Sequence, residues 1–248
     1  MLAFGDVWRP PCLGLYFMNW LIWPLSAKRP RELNSVFGPQ EIFIRSGLRG
    51  RMQSDAILDK VRKALLPVAI SDDTDGIKRD GQRRAAVLFP LVMRDSWHVI
   101  LTQRPETMPS HPGQIAFPGG KAEIGETIAQ TALRETEEEI GIGGKDIELL
   151  GRLPSFNAVS KYRVTPFLGV VSPSAKITPD PREVESAFEV PFAFLMNSDN
   201  HIRREVFFDG RDHVLFDMPY EEPNGRHRNI WGMTAMTIYR LWQLGFET

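Results

Sequence analysis

Two periodicities run along this chain. From Asp55 to Leu66 the apolar positions Ile57, Val61, Leu65 and Leu66 fall on one face of a helix. Ala85–Met93 and His98–Thr102 are short apolar runs with strand character, and Arg94–Ser96 between them reads as a hairpin turn. Gln114–Phe117 predicts a short strand that closes at Pro118-Gly119-Gly120. Thr127–Ile140 returns to helical spacing. Ile147–Leu153 and Val164–Val171 predict strands, and Val184–Val190 leads into a short helical piece near Pro191–Met196. Glu205–Phe208 and Val214–Phe216 flank Asp209-Gly210, a pair favoured in tight hairpins. Ile230–Leu244 predicts an amphipathic closing helix carrying Trp231, Met233, Ile238, Leu241 and Trp242. Helices and strands mix without strict alternation, so an α/β (α+β) fold with a mixed sheet between helices is expected.

Outside these elements the pattern weakens. Ser71–Arg84 is polar and reads as a loop. Residues 26–51 are rich in Arg, Pro and Gly, and read as a linker. Cys12–Leu25 is the most apolar stretch, but it contains Asn19 and Pro24 and is shorter than the roughly 20 residues of a spanning helix. A signal-like segment, a tail, a packed arm, or an extension upstream of a start at Met52 all remain open for it. The expected organisation is therefore residues 1–51 as extension or linker, followed by one domain over 52–248.

Composition narrows the class. Hydrophobic residues at 42% and charged residues at 25% support a packed core rather than disorder. Thirty Lys and Arg against 31 Asp and Glu leave a formal charge of −1, so no global field grips nucleic acid. The single cysteine, Cys12, excludes an intrachain disulfide and a Cys-based zinc site. No membrane association is expected, and a cytoplasmic protein is.

The chemistry concentrates on one helix. With about 100° per residue, Ala129, Ala132, Leu133, Thr136 and Ile140 cluster on one side of Thr127–Ile140. Glu135, Glu138 and Glu139 cluster on an adjacent side at i, i+3 and i+4. Such runs are commonly solvated faces. Three carboxylates this close repel one another unless a cation bridges them, and a hard ion such as Mg²⁺ takes oxygen ligands. Gly119-Gly120 upstream lets backbone approach a ligand without side-chain obstruction. Glu126 lies at the helix start, where the dipole favours a carboxylate. Arg134 supplies a counter-charge.

These residues resemble a known family. Gly120, Glu126, Arg134-Glu135-Thr136-Glu137-Glu138-Glu139-Ile140-Gly141-Ile142 is similar to the Nudix box, G-x5-E-x7-R-E-U-x-E-E-x-G-U with U aliphatic. Thr136 is the one departure, at a position facing the sheet. The resemblance implies a Nudix α/β/α sandwich. It further implies that Glu135, Glu138 and Glu139 bind Mg²⁺ or Mn²⁺, joined by a carbonyl of Gly119 or Gly120, with Arg134 part of the catalytic set. The base that activates water differs within the family: Glu135 is one candidate, and Glu183 and Glu185 are others.

A second signature precedes the box. Leu101-Thr102-Gln103-Arg104 followed by His111-Pro112-Gly113-Gln114-Ile115-Ala116-Phe117-Pro118-Gly119-Gly120 is similar to the extra motif of the coenzyme A pyrophosphatases. Met108-Pro109 stands where many members carry a further basic residue. Leu153-Pro154-Ser155 with Tyr162–Pro166, Val190-Pro191-Phe192 and Ile230–Thr234 extend the likeness, which covers roughly Asp55–Leu244. It implies hydrolysis of coenzyme A or acyl derivatives to 3′,5′-ADP and 4′-phosphopantetheine products. Arg104, His111, Gly119 and Gly120 are the implied substrate contacts, with Arg104 the stronger candidate because guanidinium pairs with phosphate in bidentate fashion. Two rivals remain: a broader nucleoside diphosphate hydrolase acting on ADP-ribose, NADH or (d)NTPs, and a Nudix module that senses a nucleotide without cleaving it.

Overall fold

The computed structural model describes residues 55–69, 83–158, 162–208 and 210–247. The expectations for Cys12–Leu25, for the linker over 26–51, for most of the 71–84 loop and for Asp209 lie outside these. Among the described residues, helix α1 (residues 55–64) comes first and a mixed sheet follows. Strands β1 (Arg83–Met93) and β2 (Trp97–Gln103) form the expected antiparallel hairpin. β1 runs parallel to β7 (Tyr162–Val171) along its length. On its other edge β1 pairs with β4 (Gly119–Lys121), and β2 pairs with both β3 (Ile115–Ala116) and β8 (Ser186–Pro191). β5 (Ile147–Arg152) and β6 (Phe156–Asn157) pair with β7.

Helices cover both faces, and β1 is therefore apolar on both. Ala86 and Leu88 meet Ile128 and Ala132 of helix α2 (Ile128–Ile140), while Val92 meets Ile140. The alternate residues Phe89 and Leu91 join the main core. Val61 of α1 and Ala235, Ile238 and Leu241 of the last helix, α4 (Gly232–Gly245), belong to that same core. After β8 come the short helix α3 (Phe192–Leu195) and a second sheet of β9 (Ile202–Phe208), β10 (Arg211–Glu221) and β11 (His227–Trp231). Phe216, Met218 and Ile230 anchor this second sheet to the main core, with Phe216 stacked on Tyr239 of α4 at 3.9 Å.

Several boundaries differ from the sequence expectation. Ile230 and Trp231 end strand β11 rather than opening the last helix, and Gly232, at φ 64°, makes the bend between the two. Arg83 and Arg84 are strand, not loop. Leu133 is only half-buried, whereas Ile128, Thr131 and Glu139 are buried. The α2 face against the sheet is thus rotated from the predicted one, and it takes in one of the acids. Among the described residues no helix is long and apolar enough to cross a membrane.

Candidate active site

Helix α2 starts cleanly because Thr127 and Gln130 cap each other. The Gln130 N–H donates to the Thr127 hydroxyl at 3.2 Å, and the Thr127 N–H donates to the Gln130 side-chain oxygen at 2.9 Å. It ends on Gly141 at φ 71°, in the left-handed conformation typical of a helix stop. Between these ends Thr136 is buried, and its hydroxyl donates to the Ala132 carbonyl at 2.6 Å. The hydroxyl at an aliphatic position is thereby satisfied within the helix.

Arg134 organises the acids. Its Nε donates to Glu126 Oε1 at 2.7 Å and its Nη2 to Glu126 Oε2 at 3.2 Å, a two-point pairing. Its Nη1 reaches Glu135 at 2.9 Å and Glu138 at 2.8 Å, and Nη2 also donates to the Lys121 carbonyl at 2.9 Å. These bonds hold the Glu126 carboxyl at about 2, well below its usual range, chiefly through the Arg134 hydrogen bond. They also push the Arg134 guanidinium further up. Each of these partners lies within the Gly120–Ile142 segment, so Arg134 positions the acids.

The acids differ sharply in environment. Glu138 is largely exposed and turned toward Arg134. Glu135 is half-buried and lies where a β-carbon on Gly120 would stand, so any side chain there would displace its carboxyl group. Burial raises the Glu135 carboxyl above its usual value against the pull of Arg134. Glu139 is only 4% exposed, and it accepts a hydrogen bond from the Gly119 backbone. Burial, then the charge of Glu135, push Glu139 up to about 8; the charge of Arg104 and the Gly119 bond oppose this, and the charge of Glu183 adds to it.

Strand β4 brings the glycines to this helix. A β-carbon on Gly119 would overlap the Ala86 carbonyl and come within 2.6 Å of the Val87 Cα, so β4 lies tight on β1. Arg104, at the end of β2, is half-buried, and its Nε is buried without a hydrogen-bond partner. His111 is exposed in the turn that precedes β3, at φ 56°. Glu183 is exposed, and its charge acts on both Glu135 and Glu139; Glu185 is instead ion-paired with Arg226 at 3.0 Å. On the α4 face of the sheet lies a largely apolar cavity of about 70 Å³ lined by Val87, Gln114, Phe117, Phe156 and Met233 among others.

Among the described residues no three His, Cys, Asp or Glu side chains converge as a ready-made metal site. The reason is visible: Glu135 and Glu138 are both drawn onto Arg134. The residues nonetheless fit a hard cation. Two desolvated carboxylates, Glu135 and Glu139, repel each other, and a divalent ion would remove both penalties.

A family model described as the NUDIX domain matches residues 82–209, just over half of the chain. The chain belongs to the Nudix family. An uncharacterized Nudix hydrolase, NudL, from Photorhabdus laumondii is 36% identical over 165 residues, which span 66% of this chain and 86% of that protein. A second NudL, from Yersinia pestis, is 36% identical over 162 residues, 65% of this chain and 79% of the relative. The crystal structure of a C. elegans Ap4A hydrolase binary complex aligns over 45% of this chain and 81% of its own, at 21% identity and a TM-score of 0.39. That likeness is too slight to bear on substrate.

Proposed function

We propose that this Nudix hydrolase cleaves the pyrophosphate bond of coenzyme A and acyl-coenzyme A, using Mg²⁺ or Mn²⁺ held by Glu135, Glu138 and Glu139. The observation that carries the hydrolytic part is Glu139, a buried carboxyl beside a second one and bonded to the backbone of Gly119. A purely structural helix has no use for that arrangement, because burying like charges together is costly. A bound divalent ion would polarise phosphoryl oxygens and lower the pKa of a water. Arg134 holds Glu135 and Glu138 in place, the Gly119 N–H donates to Glu139, and Gly120 leaves room for the Glu135 carboxyl.

Glu183 is the residue to which we assign the base. It is exposed beside the acids, whereas Glu185 is engaged with Arg226. Water attack on one phosphorus breaks the bridging P–O bond and yields 3′,5′-ADP and 4′-phosphopantetheine. The choice of coenzyme A rests on the likeness of Leu101–Arg104 and His111–Gly120 to that subfamily's motif. One feature supports it: the buried Arg104 Nε has no hydrogen-bond partner among the described residues, so a phosphate reaching it would supply one. His111 is the weaker contact, being exposed. The protein acts on a small molecule rather than on nucleic acid or a membrane, within a domain over residues 52–248, in a cytoplasmic setting that suits a chain with one cysteine.

Parallel assays with coenzyme A, ADP-ribose, NADH and dGTP test the substrate. Coenzyme A should be cleaved fastest. If it were the slowest of the four, the broader diphosphatase reading would replace this one.

A further inference from the structure

A polar cluster far from the box in sequence ties the second sheet to the segment that carries Glu183. Arg228, on β11, is only 4% exposed and lies over the Phe188 ring at 4.1 Å. It donates to Glu222 at 2.6 Å, to the Ser186 hydroxyl at 3.2 Å and to the Gln103 side-chain oxygen. Arg226, in the turn before β11, donates to the same Gln103 oxygen at 3.1 Å and to Glu185 at 3.0 Å. That turn is itself defined. The Arg226 N–H donates to the Asn224 side chain at 2.9 Å, and the Glu222 N–H donates to the Arg226 carbonyl at 2.9 Å.

The other end of the Glu183 segment is fastened to the box helix. The Thr178 N–H donates to the Ile140 carbonyl at 2.8 Å, and the Asp180 N–H to the Glu139 carbonyl at 3.0 Å. These fill carbonyls that a helix end leaves open. Between the anchors the Glu183 and Val184 N–H groups both turn back onto the Asp180 carbonyl, at 3.0 and 2.8 Å, and the Glu185 N–H donates to the Gln103 carbonyl at 2.8 Å. Glu183 thus sits on a short arch. One foot is the backbone of Glu139, and the other is Gln103 with Arg226.

We propose that Arg226 is a positioning residue: by clamping Glu185 and Gln103 it sets the arch that carries Glu183 and is anchored on the Glu139 backbone. This rests on the diphosphatase reading and on Glu183 as base. Arg226 is partly exposed on a turn, so its removal leaves the core intact. Misplacement of a reacting group by about 1 Å can cost up to about 100-fold in rate, so a partial loosening is expected to cost about tenfold.

The test uses the full chain with Mg²⁺ and the best of the four diphosphate substrates. Arg226→Ala should lower kcat about tenfold with KM within about twofold, and Arg226→Lys should recover part of the loss. Glu185→Gln, which breaks the same pair from the other side, should reproduce the loss. In a Glu183→Gln background, Arg226→Ala should add nothing further, because both changes remove one function. Independently of turnover, amide hydrogen exchange over residues 183–185 should quicken in Arg226→Ala. Additive losses, a change confined to KM, or unchanged exchange would each overturn the proposal. A wild-type chain that cleaves none of the four substrates would remove the diphosphatase reading and the positioning role with it.

Discussion

The Glu135 carboxyl group occupies the space that a β-carbon on Gly120 would fill. The neighbouring glycine meets something different. At Gly119 the obstruction is the backbone of β1, at Ala86 and Val87. Two adjacent glycines in one motif therefore do two jobs, and the difference can be measured.

Gly120→Ala should leave the fold standing, because the displaced atoms are the end of a flexible side chain. It should lower metal-dependent turnover by about 100-fold, since Glu135 must move. Gly119→Ala should instead lower the melting temperature by several degrees, because two strands must separate. Thermal melts and turnover on both variants check this, and equal effects on stability would contradict it.

Arg134→Ala should destabilise the protein by about 1–3 kcal/mol at pH 7, the usual cost of stranding a partly buried charged partner. The Glu126 carboxyl is only 16% exposed and loses its two-point pairing. Its lowered value, about 2, means that Arg134 contributes stability above the ordinary carboxylate pKa and loses it as pH falls toward 2. Urea unfolding at pH 7 and at acid pH should therefore show the gap between wild type and Arg134→Ala closing on acidification.

Thr136→Val should change stability by no more than about 0.5–1.5 kcal/mol, the net worth of one intrahelical hydrogen bond, and leave turnover intact. The Thr136 hydroxyl bonds only the Ala132 carbonyl of its own helix, and it faces the sheet. Denaturant melts and a turnover assay on the one variant check it.

The spacing of Glu135, Glu138 and Glu139 placed them together on a helix from sequence alone, because a helix repeats reliably. Their inequality was not legible. At i+4 Glu139 should flank Glu135, yet it is buried because Asp180 and β4 close over that side. β4 is not legible in the sequence: Gly119-Gly120-Lys121 has no alternation to read. The end of β11 was absorbed into α4 because Ile230 and Trp231 fit a helical face until Gly232 bends the chain. The Arg226 clamp joins residues 41 and 123 positions apart, a separation no local pattern records.

The raised Glu139 carboxyl gives the metal-free protein a pH signature. A folded-state value of about 8, against 4.5 for the free group, means the folded protein holds the extra proton between those values. Stability from this group is full below about pH 4.5 and is lost as pH rises through about 8. In EDTA the melting temperature should fall across that window, and added Mg²⁺ should restore it at the alkaline end. No pH dependence of the Mg²⁺ effect would contradict this.

Glu139→Gln joins the two halves of the account, because the amide keeps an acceptor for the Gly119 N–H but cannot ionise. Its melting temperature in EDTA should match wild type near pH 4 and exceed it increasingly as pH rises to 9. Over the same range its Mg²⁺-dependent hydrolysis of coenzyme A should fall by at least about 100-fold. Retained turnover, or a variant less stable than wild type at pH 9, would contradict the claim that Glu139 is a buried acid kept for a catalytic cation.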